Sequence, residues 1–508
     1  MYITELDLLK QKLSIEGKLN ISEIIKNILN DAAIEERRIY MNVGERYYEN
    51  GHDILYHDFR CSTIYDTVED PDNFGQTKDV INTVTNNNNS NMHNVHNFHQ
   101  LQVDQKVSYI AGKAPTISVE NDKEFESLLT KRTTDEEFPD LIYDWIEGAS
   151  NKGIEWIHVY YDFNGILQYC IVPAQEVIAF YDSEHQKELQ DIVRFYMFDV
   201  ISNGKTVKRH KIEWWEVDKV TYYIEDEQGN YMLDPLYPIN PMPHWWDITT
   251  VDNMEQSKVP QTWGRVPFIP LHNNSHDISD LLRNKSLIDA YNMISSTSTN
   301  NQIDLVELYW VIHGYGGETA KAIAKKLQIN KSVSINSEEG SVTAQQITLN
   351  VEERVKWLEL LRHDIYHFGM AIDTSDEQLG NNPSGVSLKF KYTQLDLKAN
   401  PLILKLKKAL KDLFWFITVD INLKNNASYD SKKIVVAINK SMITNDLETV
   451  NMINASKGLV PDNLLLAAHP LVEDANQAAI DLKAQQDDLD KRRAKLFGNN
   501  DIPPGGED

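Results

Sequence analysis

Apolar residues recur every three or four positions through two stretches past the middle of the chain, and the polar segment between them organises the rest. Val351, Val355, Leu358, Leu361, Ile365, Phe368 and Ile372 put one apolar stripe on a helix of about six turns. Leu395, Leu402, Leu406, Leu410, Leu413 and Ile417 do the same for a longer helix, which Pro401 is expected to kink or to restart. The intervening loop begins at Asp373-Thr-Ser-Asp-Glu-Gln378 and ends in Pro383-Ser384-Gly385-Val386-Ser387-Leu388. Lys389, Lys391, Lys398, Lys405, Lys407, Lys408 and Lys411 make the second helix basic.

Elsewhere the period alternates between helical and extended. Ile21, Ile24, Ile25 and Ile28 share a face of a helix predicted over 21–50, with Gly51 at its stop. Asn86-Asn87-Asn88-Asn89-Ser90 reads as a loop, because asparagine side chains compete with regular backbone hydrogen bonding. From Gly153 to Met232 the period falls to two. Segments Trp156–Tyr161, Leu167–Val172, Val177–Phe180, Ile192–Met197, Lys211–Trp215 and Val220–Ile224 are rich in β-branched and aromatic residues, and Asn164-Gly165, Asn203-Gly204 and Gln228-Gly229 mark turns between them. This pattern predicts an antiparallel sheet whose aromatics pack in the core, since few Lys or Arg are interleaved as a base-stacking platform needs. Residues 233–275, dense in proline and tryptophan, read as an ordered connector with little regular structure.

Asp277 to Val306 returns to helical period, with Leu287, Tyr291, Ile294 and Ser298 on one face. Its run Ser295-Ser-Thr-Ser-Thr-Asn-Asn301 is poor in helix formers, which either a close neighbouring helix or a water-filled lumen would explain. Between Glu307 and Asn350 the order is strand, helix, strand, strand, a small α/β insert between two long helices. A strand at Ile434–Ile438 and helices over Asn445–Lys457 and from Pro461 follow, the first with a capping box at Asn445-Asp446-Leu447-Glu448. The tail from Gly498, with Pro503-Pro504-Gly505-Gly506, reads as disordered.

Composition narrows the function. The chain has 508 residues, enough for two to four folding units, and a net charge of -26 that argues against tight binding to nucleic acid over its whole surface. Its two cysteines, Cys61 and Cys170, are too few for a disulfide framework and fit synthesis in a reducing cytosol. The amino terminus lacks the pattern of a signal peptide, and no apolar run is long enough to span a membrane.

Three local patterns invite chemistry. His93, His96 and His99 recur at a spacing of three, but such positions drift around a helix and no cysteine completes a metal set. Gly314-Tyr-Gly-Gly-Glu318 lacks the Gly-Lys-Ser/Thr ending of a phosphate loop and reads as a turn. His363-Asp364-Ile365-Tyr366-His367 approaches the H-E-x-x-H zinc helix, with the acid one methylene shorter and no third ligand in sequence. It defines the alternative function class, a soluble zinc-dependent hydrolase; a monomeric sheet-based binding protein is a further one. No nucleophile elbow or Walker loop occurs, and no catalytic residue, metal or cofactor is expected.

The stretch NNPSGVSLKFKYTQLDLKANPLILKLKKAL from Asn381 to Leu410 resembles the matching region of phage portal proteins of siphophages that infect Gram-positive hosts. So do VHNFHQLQVDQKVSYIAGKAP from Val95 to Pro115 and WGRVPFIPLHNN from Trp263 to Asn274, in the family's order. The resemblance implies an α+β portal fold: a wing of N-terminal helices and antiparallel sheet over 1–276, a stem helix at 277–306, an α/β clip at 307–349 and a second stem helix at 350–372. It further implies a tunnel loop at 373–388, a long wing helix at 389–424, a wing strand at 425–440 and a helical crown at 441–497, with 498–508 as the tail.

The resemblance also implies a ring at one capsid vertex, of twelve subunits in the virion and twelve or thirteen in isolation, through which double-stranded DNA is packaged and ejected. Terminase and then head-completion adaptors would dock on the clip, and major capsid and scaffold proteins on the wing. Assembly would take place in the host cytoplasm, with no membrane. Gln378, Leu379, Gly380, Asn381, Asn382, Pro383 and Ser384 would form the collar around DNA. Lys389, Lys391 and Lys398 would line the lumen or, as favoured here, contact the next subunit, because a strongly basic lumen would retard translocation. Twelve helices packed about 10 Å apart enclose a lumen of roughly 28 Å, which passes a duplex about 20 Å wide.

Overall fold

The computed structural model describes the chain except residues 1–3, 18–19, 70–76, 86, 88, 134–136, 183–184, 186–187, 203, 252–253, 305–308, 314–340, 346–350, 374–384, 442–445, 470, 473–474 and 498–508. Two compact units are present: residues 1–371 with 397–440, and residues 372–396 with 441–508.

Helices α1 (Glu5–Ile15), α2 (Ile21–Leu29) and α3 (Ala32–Tyr48) open the first unit. The single helix expected over 21–50 is two, because Asn30 ends α2 and the Asp31 carboxylate accepts from the Ala33 amide to cap a new start. Next come the hairpin β1 (Cys61–Glu69) and β2 (Thr77–Thr85), then α4 (Phe98–Ala111), β3 (Thr116–Val119), α5 (Lys123–Thr130) and α6 (Glu137–Lys152).

The alternating region folds as predicted, into antiparallel strands. β4 (Ile154–Tyr161), β5 (Leu167–Val172), β6 (Val177–Tyr181), β7 (Leu189–Ser202), β8 (Lys205–Trp215), β9 (Val220–Glu225) and β10 (Tyr231–Leu233) follow one another. The order β10-β9-β8-β7-β6 makes a five-stranded sheet with a core on each face. Val193 pairs with Trp214 across β7 and β8 and packs toward Leu6, Leu13, Ile25 and Ile28. One step along, Ile192 pairs with Trp215 and packs toward Met41, Trp156, Val172 and Phe268. Successive side chains point to opposite faces, so adjacent residues serve different cores.

The connector at 233–275 departs from expectation. It contains the hairpin β11 (Trp245–Val251) and β12 (Met254–Gln261), and then β13 (Phe268–His272), which pairs with β4. β13 is the edge of the sheet β13-β4-β5, so Pro270 needs no partner for a missing amide on its outer side. That is why prolines that read as breakers coexist with strands.

The 3₁₀ turn Asp280–Arg283 leads into α7 (Lys285–Asp304). Of the insert, the described part is the antiparallel hairpin β14 (Tyr309–His313) and β15 (Ser341–Gln345); the helix and strand expected between them lie outside the described residues. α8 (Val351–Phe368) returns along α7, since Ile288 near the start of one and Ile365 near the end of the other share a core cluster. α9 (Gly385–Asn425) runs unbroken through Pro401, so that proline does not restart it. Leu402, Leu406, Leu410, Leu413, Phe414 and Ile417 are its buried stripe in the first unit. β16 (Ile434–Ala437) then pairs with β3.

The second unit holds the start of α9 together with α10 (Asp446–Ser456), α11 (Asp462–Ala467) and α12 (Ala475–Phe497), of which α11 and α12 pack together. Asn445, the expected cap of α10, lies outside the described residues. No described helix is long and apolar enough to cross a membrane.

Candidate functional site

The predicted loop residues Gln378, Leu379, Gly380, Asn381, Asn382, Pro383 and Ser384 lie outside the described residues, as do the side chains of Lys389 and Lys391. What the structure describes is the end of α8, from which the chain leaves toward that segment. α8 ends with Met370 in the left-handed region at φ 53°, the Met370 amide donating to the His367 carbonyl at 3.2 Å and the Ala371 amide to Tyr366 at 3.1 Å. These two bonds are those of a Schellman stop, a position where glycine is usual at the residue occupied here by Met370. The glycine stands one residue earlier, for space. A Cβ on Gly369 would collide with the Asn284 and Gln102 side chains.

Those two amides close the end of α8. Gln102 Nε2 donates to the Ile365 carbonyl at 3.0 Å, and Asn284 Nδ2 donates to the same carbonyl at 3.1 Å and to Gln102 Oε1 at 2.9 Å. Beside them lies a buried charge cluster. Asp280 meets Lys106 Nζ at 3.0 Å and Lys398 Nζ at 3.4 Å, while its other oxygen accepts from Asn273 at 3.0 Å. Burial would raise the Asp280 carboxyl, but the Lys106 and Lys398 ammoniums outweigh it and hold it well below the usual carboxylate range. Burial pulls Lys106 down to about 8 against the attraction of Asp280.

Lys398 therefore needs correcting. Its side chain is 4% exposed, its ammonium donates to the Gly369 carbonyl at 3.0 Å and it faces Asp280, so its charge is met within the chain. The signal was in the spacing. Lys398 follows Leu395 by three positions and precedes Leu402 by four, which places it on the buried stripe. Lys106 stands in the same relation to Val103 and Ile110.

The small polar run of α7 has a third explanation, neither helix nor lumen. Residues 90–96 lie along the helix in the opposite direction and bond to it at every second position. The amides of Ser90, Met92, Asn94 and His96 donate to Asp304, Asn300, Ser296 and Asn292 at 2.7 to 2.9 Å. Four helix residues rise about 6 Å and two extended residues about 6.6 Å, so the ladder stays in step. Asn300 also returns a bond to the Met92 carbonyl at 3.0 Å, and Asn94 Nδ2 reaches Thr299 at 2.6 Å. Sequence reasoning missed this strap, although Asn292, Ser296, Asn300 and Asp304 are spaced by four.

The histidine readings resolve separately. Helix α4 begins only at Phe98, so His93 and His96 precede it, and the three diverge: His93 bonds the His57 carbonyl, His96 bonds Asn292, and buried His99 bonds Asn151. His363 and His367 are one turn apart on α8 with ring centroids 5.9 Å apart, and His363 meets Asp364 at 3.3 Å. Among the described residues no group of three His, Cys, Asp or Glu side chains gathers to hold a metal, and the hydrolase alternative gains no support.

α8 is otherwise under-covered. Only Ile365 and Tyr366 of the helix are buried, whereas Val351, Val355, Trp357, Leu360 and Phe368 are each about half exposed. Of the predicted stripe Ile365 is buried, Leu358, Leu361 and Ile372 are partly buried, and Val351, Val355 and Phe368 stay about half exposed in the single chain.

Residues 30–492 match the model of the SPP1 Gp6-like phage portal proteins, and the chain belongs to that family. It is 29% identical to the portal protein of Bacillus phage SPP1 over 413 residues, covering 80% of this chain and 78% of that one. It is 27% identical to the portal protein of Clostridium phage phiCD119, covering 75% and 81%. Among solved structures, the neck of a native GTA particle, computed with C12 symmetry, matches at 10% identity with a TM-score of 0.37, over 73% of this chain and 88% of that one. As a member of the portal family the chain is a structural component of a bacteriophage capsid portal, and that family forms oligomeric rings through which DNA passes.

Proposed function

We propose that this chain is one of twelve subunits of a ring at a single capsid vertex, and that its α7 and α8 line the wall of a channel for double-stranded DNA. The observation that supports the reading is that Val351, Val355, Trp357, Leu360 and Phe368 of α8 stay about half exposed in the single chain. A helix with too few partners of its own is completed by copies of itself, and a closed ring gives every copy the same neighbours.

On this reading residues 1–276 with 389–440 form the wing, 277–306 and 350–372 the stem, 307–349 the clip and 441–497 the crown. The clip is where terminase docks during packaging and where head-completion adaptors dock afterwards. Major capsid and scaffold proteins meet the wing as the particle assembles in the host cytoplasm. The ring performs no catalysis; the motor is a separate protein. The loop at 373–388 projects a collar of Gln378, Gly380, Asn381, Asn382 and Ser384, which touches phosphates without the Lys and Arg that bind by counterion release, so DNA of any sequence slides past.

A photocrosslinking side chain at Asn381 in DNA-filled particles tests this directly. Crosslinks to DNA at Asn381, with none from the same group at Lys205 on the β7–β8 ribbon, are expected. DNA captured equally at both, or at neither, overturns the channel assignment of the loop.

A further inference from the structure

The residues of α8 sort by direction as well as by burial. At about 100° per residue, Leu358, Leu361 and Ile365 fall on one side, where the chain covers them wholly or in part. Glu352, Lys356, Glu359, His363 and His367 recur at intervals of four and three on the side roughly opposite, and every one of them is exposed. Two flanks lie between these sides. One carries Val351, Val355 and the partly buried Arg362; the other carries Trp357, Leu360 and Asp364. The four apolar side chains on the flanks are each about half exposed.

A helix with one uncovered apolar side is completed by one partner, and a two-fold pair supplies that. Apolar residues on both flanks of a polar row need two partners. The flanks are also complementary. Arg362 follows Val355 by seven residues, about two helical turns, and Asp364 follows Trp357 by the same interval. Each flank thus sets an apolar side chain two turns before a charge, cationic on one and anionic on the other. The two pairs differ in height by two residues, about 3 Å, so parallel helices at about the same level bring them together. We propose that the Val355 flank of α8 docks on the Trp357 flank of α8 in a second copy of this chain, with Arg362 facing Asp364. Copies related by rotation about one axis have parallel α8 helices, which pack at about 8–10 Å. Such a contact joins unlike flanks, so it continues from copy to copy as a ring requires. The polar row is then the side left uncovered, turned to the channel. In the single chain Arg362 lies over the Tyr366 ring at 5.8 Å and Asp364 meets the His363 ring at 3.3 Å, so both charges sit at the ends of their flanks with side chains already ordered.

The inference rests on the ring reading, and the experiment separates the two. Val355→Cys combined with Trp357→Cys places one thiol on each flank. Within a chain the two point apart, so only neighbouring copies can form the bond. Oxidised particles of this variant are expected to give a ladder of covalent multimers past the dimer on a denaturing gel without reductant, whereas wild-type particles, which keep the exposed Cys61, give none. Bonding that stops at the dimer, or no bonding in assembled particles, overturns the contact. Arg362→Glu is expected to raise the protein concentration at which rings dissociate at least tenfold, and adding Asp364→Arg to restore it. A loss that the second change does not restore, or one no larger than the loss of stability of the unassembled chain in denaturant, overturns the facing of the two charges. If the cysteine variant does not assemble, the charge pair decides. Wild-type rings without the ladder overturn this contact alone; a wild-type particle with the mass of one chain overturns the ring reading itself.

Discussion

The region around the five-stranded sheet and the region around α8 solve burial in opposite ways. Where β7 begins and β8 ends, the sheet has an apolar core on each face built from adjacent residues of the two strands, while Met197, Phe198, Ile201 and Val207 at their far end stay exposed. α8 instead buries a polar network at its end and leaves apolar side chains outside on more than one face. A sheet covered on both faces carries its own stability, whereas a helix with apolar residues turned outward needs neighbours. On the proposed reading, the contrast separates a part closed within one chain from a part that awaits copies of it.

The sharpest break in that contrast comes from matching substitutions in the two kinds of surroundings. Phe414 is fully buried on α9, so Phe414→Ala is expected to cost about 3–5 kcal/mol of chain stability, read as a lowered denaturant midpoint. A cost under 1 kcal/mol would mean that this core is not closed within the chain.

Acid acts next. Burial pushes His99 down to about 4 and His158 down to about 3, and His158 Nε2 has no hydrogen-bond partner. Both are neutral when folded and titrate near 6.5 when unfolded, so the unfolded chain binds more protons below that pH. Their contribution is full above pH 6.5 and is lost as pH falls through the window down to those folded values, at about 1.4 kcal/mol per pH unit for each histidine. His158→Phe, which keeps the stacking on Phe268, is expected to remove about 1.4 kcal/mol per pH unit of this acid destabilisation, read as the difference from wild type in denaturation curves at pH 5.5 and 4.5.

Loss of the strap is smaller. Asn300→Ala removes both bonds to Met92 and leaves a backbone amide and carbonyl without these partners, at a cost of about 1–2 kcal/mol, with faster exchange confined to residues 90–96. Smallest of all for the single chain is Trp357→Ser, expected within about 0.5 kcal/mol of wild type because the side chain is half exposed. Its effect appears in assembly, as rings that dissociate at a higher protein concentration than wild-type rings do.

The two regions were also legible to different degrees. Alternation located the strands of the five-stranded sheet and of its neighbour β13-β4-β5, β5 to the residue, and the Asn-Gly pair at 164–165 supplied the positive φ of the β4–β5 turn at Gly165. Period alone could not say what a stripe packs against, and so did not show that Val351, Val355 and Phe368 of α8 stay about half exposed in the single chain. Lys398 and Lys106 carry charge, which says nothing of burial, although their spacing puts them among buried residues. The strap was invisible for a different reason: it joins residues about 200 positions apart through side chains bonding to backbone, and neither partner has an apolar period. The loop was located by its flanks, and its residues stay a proposal about function.

The central claim is that the chain is completed by copies of itself, and the mass of the native particle tests it most directly. The account predicts twelve or thirteen times the 58.5 kDa of one chain, with a central hole in negative-stain images. A stable particle with the mass of a single chain, its α8 row still exposed to solvent, would contradict it.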